Sequence, residues 1–336
     1  MSPDAPKSTR LFFREAIARA LAEAMHADPR VVILGQDVGP LGGAYREFAG
    51  LHATFGASRV RDMPVAENAM VGIGVGAAAA GLRPLVSITY MDFVMLALDP
   101  LVNYGAKLRY KTGGQLHAPV VVKATAGAKG QGVAHSQSLE SWLVGVPGLT
   151  VVAPSNAADA YGLMGAALDH DGPVVYVDHK RLFPTAGDVP DAPVRVPIGR
   201  ATVRRRGDNA TIATHSYGCR IADAAADRLA AEGIRCEIVD LRTLAPLDVA
   251  TVASSAARTG ALVTLEEGQL PCGLGAELAY RVREEIGPIR VARIGAAPAP
   301  ISGNRLLEAA TLPSVEDVVV AVRRLLERPA TNPRTR

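Results

Sequence analysis

ENAMVGIGVGAAAA, residues 67–80, leads through a short turn into LVSITY, residues 85–90, and this stretch best indicates the fold. Its first part is alanine-rich with helical spacing, whereas its second part is a short run rich in β-branched residues. Similar pairs recur along the chain, and alternating helices and buried strands are typical of βαβ units. The pattern predicts an α/β protein with parallel sheets covered on both faces.

The same alternation extends over most of the 336 residues. Further strands are predicted at residues 31–34, 120–125, 150–153, 174–177, 211–214, 235–239, 262–265 and 289–294. Further helices are predicted at residues 13–27, 157–170, 220–232, 274–285 and 315–326. Proline-rich sequence without helical period interrupts the rhythm between Leu182 and Val203. We therefore predict domains at 1–185 and 203–328, joined by a linker at 186–202 and followed by a tail at 329–336.

Composition and charge narrow the possible functions. Apolar residues make up 49% of the chain, charged residues 21%, and the net charge is only +3, as in soluble globular proteins. We interpret the one dense basic run, Arg204 to Arg206, as a solvated turn, and we expect no nucleic-acid binding. No apolar stretch suits a signal peptide or a membrane span, so neither is expected. Three cysteines without paired spacing favour a reducing cytoplasm.

Residues 67–80 also carry candidate functional groups. Gly72, Gly76 and Ala80 recur every four residues on one helix face, where small side chains allow another backbone to approach closely. We interpret this stripe as a subunit or helix-pair interface, with ordinary core packing as the alternative. Glu67 begins the same apolar helix. A buried carboxylate there could share a proton with a ligand nitrogen, although it could also merely complement the helix dipole.

His135 lies in GQGVAHSQSLE, residues 130–140, a glycine-rich loop after the strand predicted at 120–125. Loops at the carboxyl ends of parallel strands often hold reactive groups in α/β proteins. An imidazole there could donate a proton near neutral pH, and a satisfied structural histidine is the alternative. Histidine pairs with metal-ligand spacing are missing from the sequence, so we expect no transition metal held by this chain.

Motifs that bind phosphates are not evident in the sequence. GVGAAA at residues 74–79 matches the dinucleotide fingerprint only formally, because a helical segment and not a strand precedes it. There is no GxxxxGK[ST], no GxSxG, and no Gly-Asp-Gly followed downstream by the expected Asn. The chain therefore has no obvious means of binding a diphosphate alone, and an NAD-binding Rossmann dehydrogenase is a remote alternative.

Six segments are specific enough for a family comparison. They are GQDV at 35–38, PVAENAMVG at 64–72, GLRP at 81–84, HSQSL at 135–139, PGLTVVAPS at 147–155 and DLRTLAPLD at 240–248. In these segments and their order, the chain resembles the β subunit of the thiamine-diphosphate-dependent first component (E1) of 2-oxo acid dehydrogenase complexes. The resemblance spans about residues 12–326. It implies a transketolase-type pyrimidine-binding domain followed by a transketolase C-terminal domain.

The resemblance also implies a division of labour between two chains. Thiamine diphosphate would lie between this chain and an E1 α subunit in an α2β2 heterotetramer, with the α chain holding the diphosphate through Mg²⁺. Glu67 is implied to hydrogen-bond the pyrimidine nitrogen and promote loss of the thiazolium C2 proton, and Phe93 to stack on the pyrimidine. His135 is implied to line the cofactor channel and assist proton movement. The acyl group would then pass to a lipoyl-bearing E2.

Several positions depart from the family pattern. Gln36 and Ser87 stand where acidic residues are usual, and Asp99 is followed by Pro100 where the family usually has Gln. His170 falls near the Asp that helps to hold a structural potassium ion in the family, which weakens the expectation of potassium here. Pyruvate, a branched-chain 2-oxo acid and acetoin all remain candidate substrates. A two-subunit carboligase or transketolase-like enzyme and a catalytically silent scaffold are the alternatives.

Overall fold

The computed structural model describes residues 7–327, so the predicted tail at 329–336 lies outside the described residues. The strands are β1 (Ser8–Phe12), β2 (Val31–Gly35), β3 (Val60–Asp62), β4 (Arg83–Ile88), β5 (Val121–Ala126), β6 (Thr150–Val152), β7 (Val174–His179), β8 (Ala186–Pro190), β9 (Thr202–Arg205), β10 (Ala210–Thr214), β11 (Cys236–Asp240), β12 (Thr243–Ala245), β13 (Ala261–Gln269) and β14 (Arg290–Ala296). The α/β fold class is confirmed.

Helices alternate with these strands. The α-helices are α1 (Phe13–Ala27), α2 (Leu51–Phe55), α3 (Glu67–Ala79), α4 (Leu108–Lys111), α5 (Ala157–Asp169), α6 (Gly218–Ala230), α7 (Val249–Thr259), α8 (Leu274–Ile286), α9 (Arg305–Thr311) and α10 (Val315–Glu327). Two 3₁₀-helices span Met91–Ala97 and Glu140–Trp142, and a π-helix spans Asp99–Ala106. The helix predicted at 13–27 is confirmed, and α7 is one that the sequence reasoning missed.

The strands form two large sheets and one small one. The first large sheet has the order β12-β6-β7-β5-β4-β2-β3 and is parallel except for β12. The second has the order β14-β13-β10-β11-β9 and is parallel except for the edge strand β9. Crossover helices connect the parallel strands, as right-handed βαβ connections require.

Two strands join segments that are far apart in the sequence. β12 follows the second sheet in the chain but pairs antiparallel with β6, so it extends the first sheet. β8, inside the segment predicted as a linker, pairs antiparallel with β1. The exact domain boundaries stay a prediction, but the two halves of the chain are physically joined at these strands.

Apolar helix faces cover the first sheet on both sides. On one side α1 packs against α5, and Phe13, Ile17 and Leu21 of α1 are fully buried. Each such side chain contributes on the order of 1.5–3 kcal/mol by leaving water. On the other side α3 packs against β4 and the 3₁₀-helix Met91–Ala97. The sheet is therefore a rigid support for the loops at its ends.

Within residues 7–327, none of the helices is long and apolar enough to cross a membrane.

Candidate functional site

The carboxyl ends of four adjacent parallel strands lie along one edge of the first sheet. β2 ends at Gly35, β4 at Ile88, β5 at Ala126 and β7 at His179. Because neighbouring parallel strands end at the same edge, the loops that follow them converge. This edge carries the sequence-predicted site residues.

Glu67 begins α3 and is only 5% exposed. Gln36, the residue after β2, donates from its side-chain amide to Glu67 Oε1 at 3.3 Å. At that length the hydrogen bond is weak, so the carboxylate can still accept or share a proton with another partner. Gln36 stands where the family usually has an acidic residue, so the buried Glu67 carboxylate has a neutral neighbour here.

Phe93 and His135 are brought together from different loops. Phe93 lies in the 3₁₀-helix after β4, and its ring centroid is 5.4 Å from that of His135 at an interplanar angle of 83°. Tyr90 also packs edge-on to His135, at 4.5 Å and 86°. Edge-to-face contacts of this kind orient rings as well as bury them. Tyr90 completes a half-buried aromatic cluster that the sequence reasoning did not predict.

The backbone around His135 is held by charged groups. The carbonyl oxygen of His135 accepts a hydrogen bond from Lys180 Nζ. The carboxylate of Asp92 accepts hydrogen bonds from the N–H groups of Ser136 and Gln137, each at 3.3 Å. The imidazole therefore extends from a segment whose main chain is held at His135 and at the two residues that follow it.

Lys180 is a second functional candidate that the sequence reasoning missed. Its side chain is fully buried, and its ammonium lies 4.8 Å from the Tyr90 ring centroid, a cation–π distance. Burial lowers the pKa of Lys180 to about 8, although Asp92 and Glu267 act in the opposite direction. Its position directly after β7 is the one signal in the sequence, and that position does not reveal the partners that make the lysine notable.

A cavity of about 510 Å³ opens beside this cluster. Phe93, Met95 and Trp142 form apolar parts of its wall, and Gln137 and Ser138 contribute polar groups. Such a mixture of apolar surface and few polar groups is typical of small-molecule sites.

The comparisons with known proteins agree on both halves of the chain. Residues 10–185 match the transketolase pyrimidine-binding domain, and residues 199–318 match the transketolase C-terminal domain. Pyruvate dehydrogenase E1 component subunit beta-1 of Arabidopsis thaliana is 41% identical, with 94% of this chain and 89% of that protein covered. The E1 subunit beta of Rickettsia bellii is 39% identical, with 93% and 97% covered.

This chain belongs to the transketolase-type family that includes the β subunits of pyruvate dehydrogenase E1. Among solved structures, a split-gene transketolase described as an inactive β4 tetramer has a TM-score of 0.78 and 28% identity, covering 96% of this chain and 99% of that one. The transketolase of Leishmania mexicana, at 21% identity and a TM-score of 0.69, shares the fold; 98% of this chain and 48% of that one are covered. The resemblance seen in the sequence is confirmed.

In this E1 β-family chain, the predicted small-residue stripe faces outward. Gly76 and Ala80 are exposed, and a Cβ at Gly76 would meet no atom within 4 Å. At Gly72 the nearest atom would be Pro100 Cβ, 3.8 Å away. Gly74 is instead the close-packed glycine of α3, because a Cβ there would lie 2.5 Å from Val86. Gly76 and Ala80 therefore lie outside the core of this chain, and the interface at the stripe stays a prediction.

The formal dinucleotide fingerprint has no structural basis in this E1 β-family chain. Residues 74–79 lie inside α3, where no strand leads into the first glycine. Among residues 7–327 there is also no group of three or more His, Cys, Asp or Glu side chains arranged to hold a metal ion.

Proposed function

We propose that this chain is the β subunit of a 2-oxo acid dehydrogenase E1 that binds the aminopyrimidine half of thiamine diphosphate through Glu67 and Phe93. The observation that carries the proposal is that the buried Glu67 carboxylate and the Phe93–His135 ring pair lie in segments at the same edge of one sheet. Both named homologues are subunits of a thiamine-dependent enzyme family, which supports the same cofactor here.

The residues at this edge fit a pyrimidine better than a phosphate. Glu67 has one weak hydrogen bond from Gln36 and is shielded from water, which suits a carboxyl that exchanges a proton with a ring nitrogen. The flat ring of Phe93 is half-buried and can cover an aromatic face. When bound, thiamine diphosphate supplies the nucleophilic carbon and the electron sink for decarboxylation. Glu67 would hold and move the proton at its own carboxyl oxygen.

His135 would act later than Glu67. Tyr90 and Phe93 fix its ring, and Lys180 holds its carbonyl, so the imidazole is oriented before a substrate arrives. An oriented imidazole can donate or accept a proton near neutral pH. The adjacent cavity has room for a small 2-oxo acid and for the end of a lipoyl group on an E2 partner.

We propose that an E1 α subunit completes the site and supplies the Mg²⁺–diphosphate half, in an α2β2 assembly. The outward stripe of Gly72, Gly76 and Ala80 supports a chain–chain contact at α3, as does the exposed Ile73 on that helix. We do not include a potassium ion near His170, since Asp169 and Asp171 each pair with an arginine, at 2.6 and 3.0 Å. A cytoplasmic location is part of the same proposal.

A two-subunit carboligase or transketolase-like enzyme is the second candidate. The structural similarity to a split-gene transketolase favours it as a specific alternative. Acyl transfer to a lipoyl domain would separate the two functions, because only a dehydrogenase E1 requires that acceptor.

Calorimetry with thiamine diphosphate and Mg²⁺ tests the proposal. The chain alone should bind the cofactor weakly, because its sequence has no diphosphate motif. Submicromolar affinity should appear only after an α subunit from the same genome is added. Tight, Mg²⁺-dependent binding by this chain alone would contradict the division of the site between two chains.

A further inference from the structure

The loop that carries His135 is bound by the second half of the chain. This loop, residues 127–135, follows β5, and two carboxylates from beyond residue 260 reach its backbone. The N–H of Ala128 donates to Glu267 Oε1 at 2.9 Å, and the N–H of Gly130 donates to Glu308 Oε2 at 2.6 Å. Hydrogen bonds to a charged acceptor are stronger than neutral ones.

The residue at the end of β7 orients the first of these carboxylates. His179 Nδ1 accepts a hydrogen bond from the N–H of Arg181 at 3.1 Å, so this nitrogen carries no proton. The proton of the neutral ring is then on Nε2, which lies 3.1 Å from Glu267 Oε2 and donates to it. His179 is 2% exposed, so this hydrogen bond to Glu267 is shielded from water.

The next two residues bind the loop directly. Arg181 Nε donates to the carbonyl of Ala128 at 2.8 Å, and its guanidinium pairs with Glu308 at 3.0 Å. Lys180 donates to the carbonyl of His135. The loop is thus held at both ends, by carboxylates on its N–H groups and by cations on its carbonyls.

The loop itself has little intrinsic order. Gly127, Gly130 and Gly132 all have positive φ, a conformation that glycine adopts without strain but does not prefer strongly. At Gly127 a Cβ would lie 1.9 Å from His179 Nε2, so the backbone passes directly against that ring. Such a loop keeps a single conformation only when outside contacts offset its conformational entropy.

We infer that Glu267 and Glu308 are positioning residues that act through this loop on His135, so that the second half of the chain determines the orientation of the imidazole. The inference rests on the proposed function for the role of His135. It adds a task for the C-terminal half, whose carboxylates would otherwise have only a structural explanation.

Hydrogen-exchange mass spectrometry on the reconstituted α–β complex tests whether the loop is held. In Glu308→Ala, the amides of residues 128–137 should exchange about tenfold faster or more, because Gly130 loses a charged acceptor. Glu308→Gln keeps an acceptor oxygen and should retain most of the protection. Asp248→Ala is the control, because the Asp248 carboxylate accepts from the N–H groups of Thr251 and Ala201 and from the Thr251 hydroxyl. This variant therefore removes carboxylate–backbone hydrogen bonds far from the loop.

Turnover then tests whether the loop acts through His135. Glu308→Ala alone should lower kcat about tenfold. Added to His135→Ala, it should lower kcat no further, because both changes remove the contribution of the oriented imidazole. Asp248→Ala should lower thermal stability without changing loop exchange or kcat.

Unchanged loop exchange in both Glu308→Ala and Glu267→Ala would overturn the inference, as would effects of Glu308→Ala and His135→Ala that multiply. If the unmodified complex decarboxylates no 2-oxo acid while Glu308→Ala still speeds amide exchange in the loop, the proposed function fails. The hydrogen bonds from Glu267 and Glu308 would then still be shown to hold the loop.

Discussion

The two large sheets end differently at their carboxyl edges. At the edge of the first sheet, Tyr90, Phe93 and His135 are half-buried, and Phe93 lines a cavity. The corresponding edge of the second sheet is closed and faces the first half of the chain. There His215, just after β10, is buried, and Tyr217 stacks on His179 with ring centroids 5.1 Å apart.

The difference indicates that the edge of the first sheet carries the reactive groups, whereas the edge of the second sheet supports them. Burial lowers the pKa of His215 to about 4, so this imidazole is neutral at physiological pH and is a poor proton donor. His135 is only half-buried, and its neighbours Phe93 and Ala134 line the cavity. Similar α/β sheets therefore serve different tasks, according to which edge stays open.

The largest effect is expected at the open edge. His135→Ala should lower turnover of the reconstituted enzyme by about 10²–10⁴-fold, the usual contribution of a general acid or base. Exchange of the cofactor C2 proton should stay near the wild-type rate, because the proposed role of His135 begins after the substrate adds. The measurements are steady-state turnover and C2 exchange on one preparation.

His215→Ala at the closed edge is the comparison for His135→Ala. This variant should lose stability from a cavity in a buried site while its turnover per folded enzyme changes little. A loss of turnover as large as that of His135→Ala would remove the distinction between the two edges.

An intermediate effect is expected at the stripe on α3. Gly76→Leu places a bulky side chain where we expect another chain, and overpacking costs about 1–3 kcal/mol at each site, repeated by the symmetry of the assembly. Sedimentation velocity should show a weaker assembly, whereas the isolated chain should fold normally because Gly76 faces open space. An unchanged assembly would exclude this helix face from the interface.

The smallest effect concerns Glu140, where the two edges meet. Burial raises the pKa of Glu140 to about 7 from an ordinary 4.5, and Glu267 and Glu266 add to the rise. The folded chain thus keeps a proton that the unfolded chain releases, so its stability falls as pH rises from about 4.5 to 7.

Glu140→Gln removes this titration. Above pH 7 the free energy of unfolding of the variant should exceed that of the wild type by about 1–3 kcal/mol, so the variant should melt at a higher temperature, and near pH 4 the difference should vanish. Thermal melts at several pH values measure it. A difference that does not depend on pH would show that Glu140 is solvated and that the edges do not meet there.

Local patterns predicted most of the long helices and parallel strands, although α7 and β3 were missed. The helix at 13–27 and the strand that becomes β7 follow from periodicity and β-branched runs, which depend on neighbours in sequence. β12 and the β1–β8 pair escaped prediction because short antiparallel strands that pair across 90 or more residues have no local signature.

The site was predictable only in part, for the same reason. Glu67, Phe93 and His135 could be carried over from a family pattern, and the structure brings Phe93 and His135 into contact. Lys180 and Glu308 could not, because a buried charge is recognisable only when its partners are known, and those partners come from distant segments.

Deuterium exchange at C2 of thiamine diphosphate, measured in the reconstituted α–β enzyme carrying Glu67→Gln, tests the central claim most directly. Glutamine keeps the size of the side chain and its capacity to hydrogen-bond, so cofactor binding should largely survive. It cannot exchange a proton with the pyrimidine nitrogen, so the exchange rate should fall by about 10²–10⁴-fold. Exchange at the wild-type rate would mean that the Glu67 carboxylate is only structural, and the proposed active site would then be wrong.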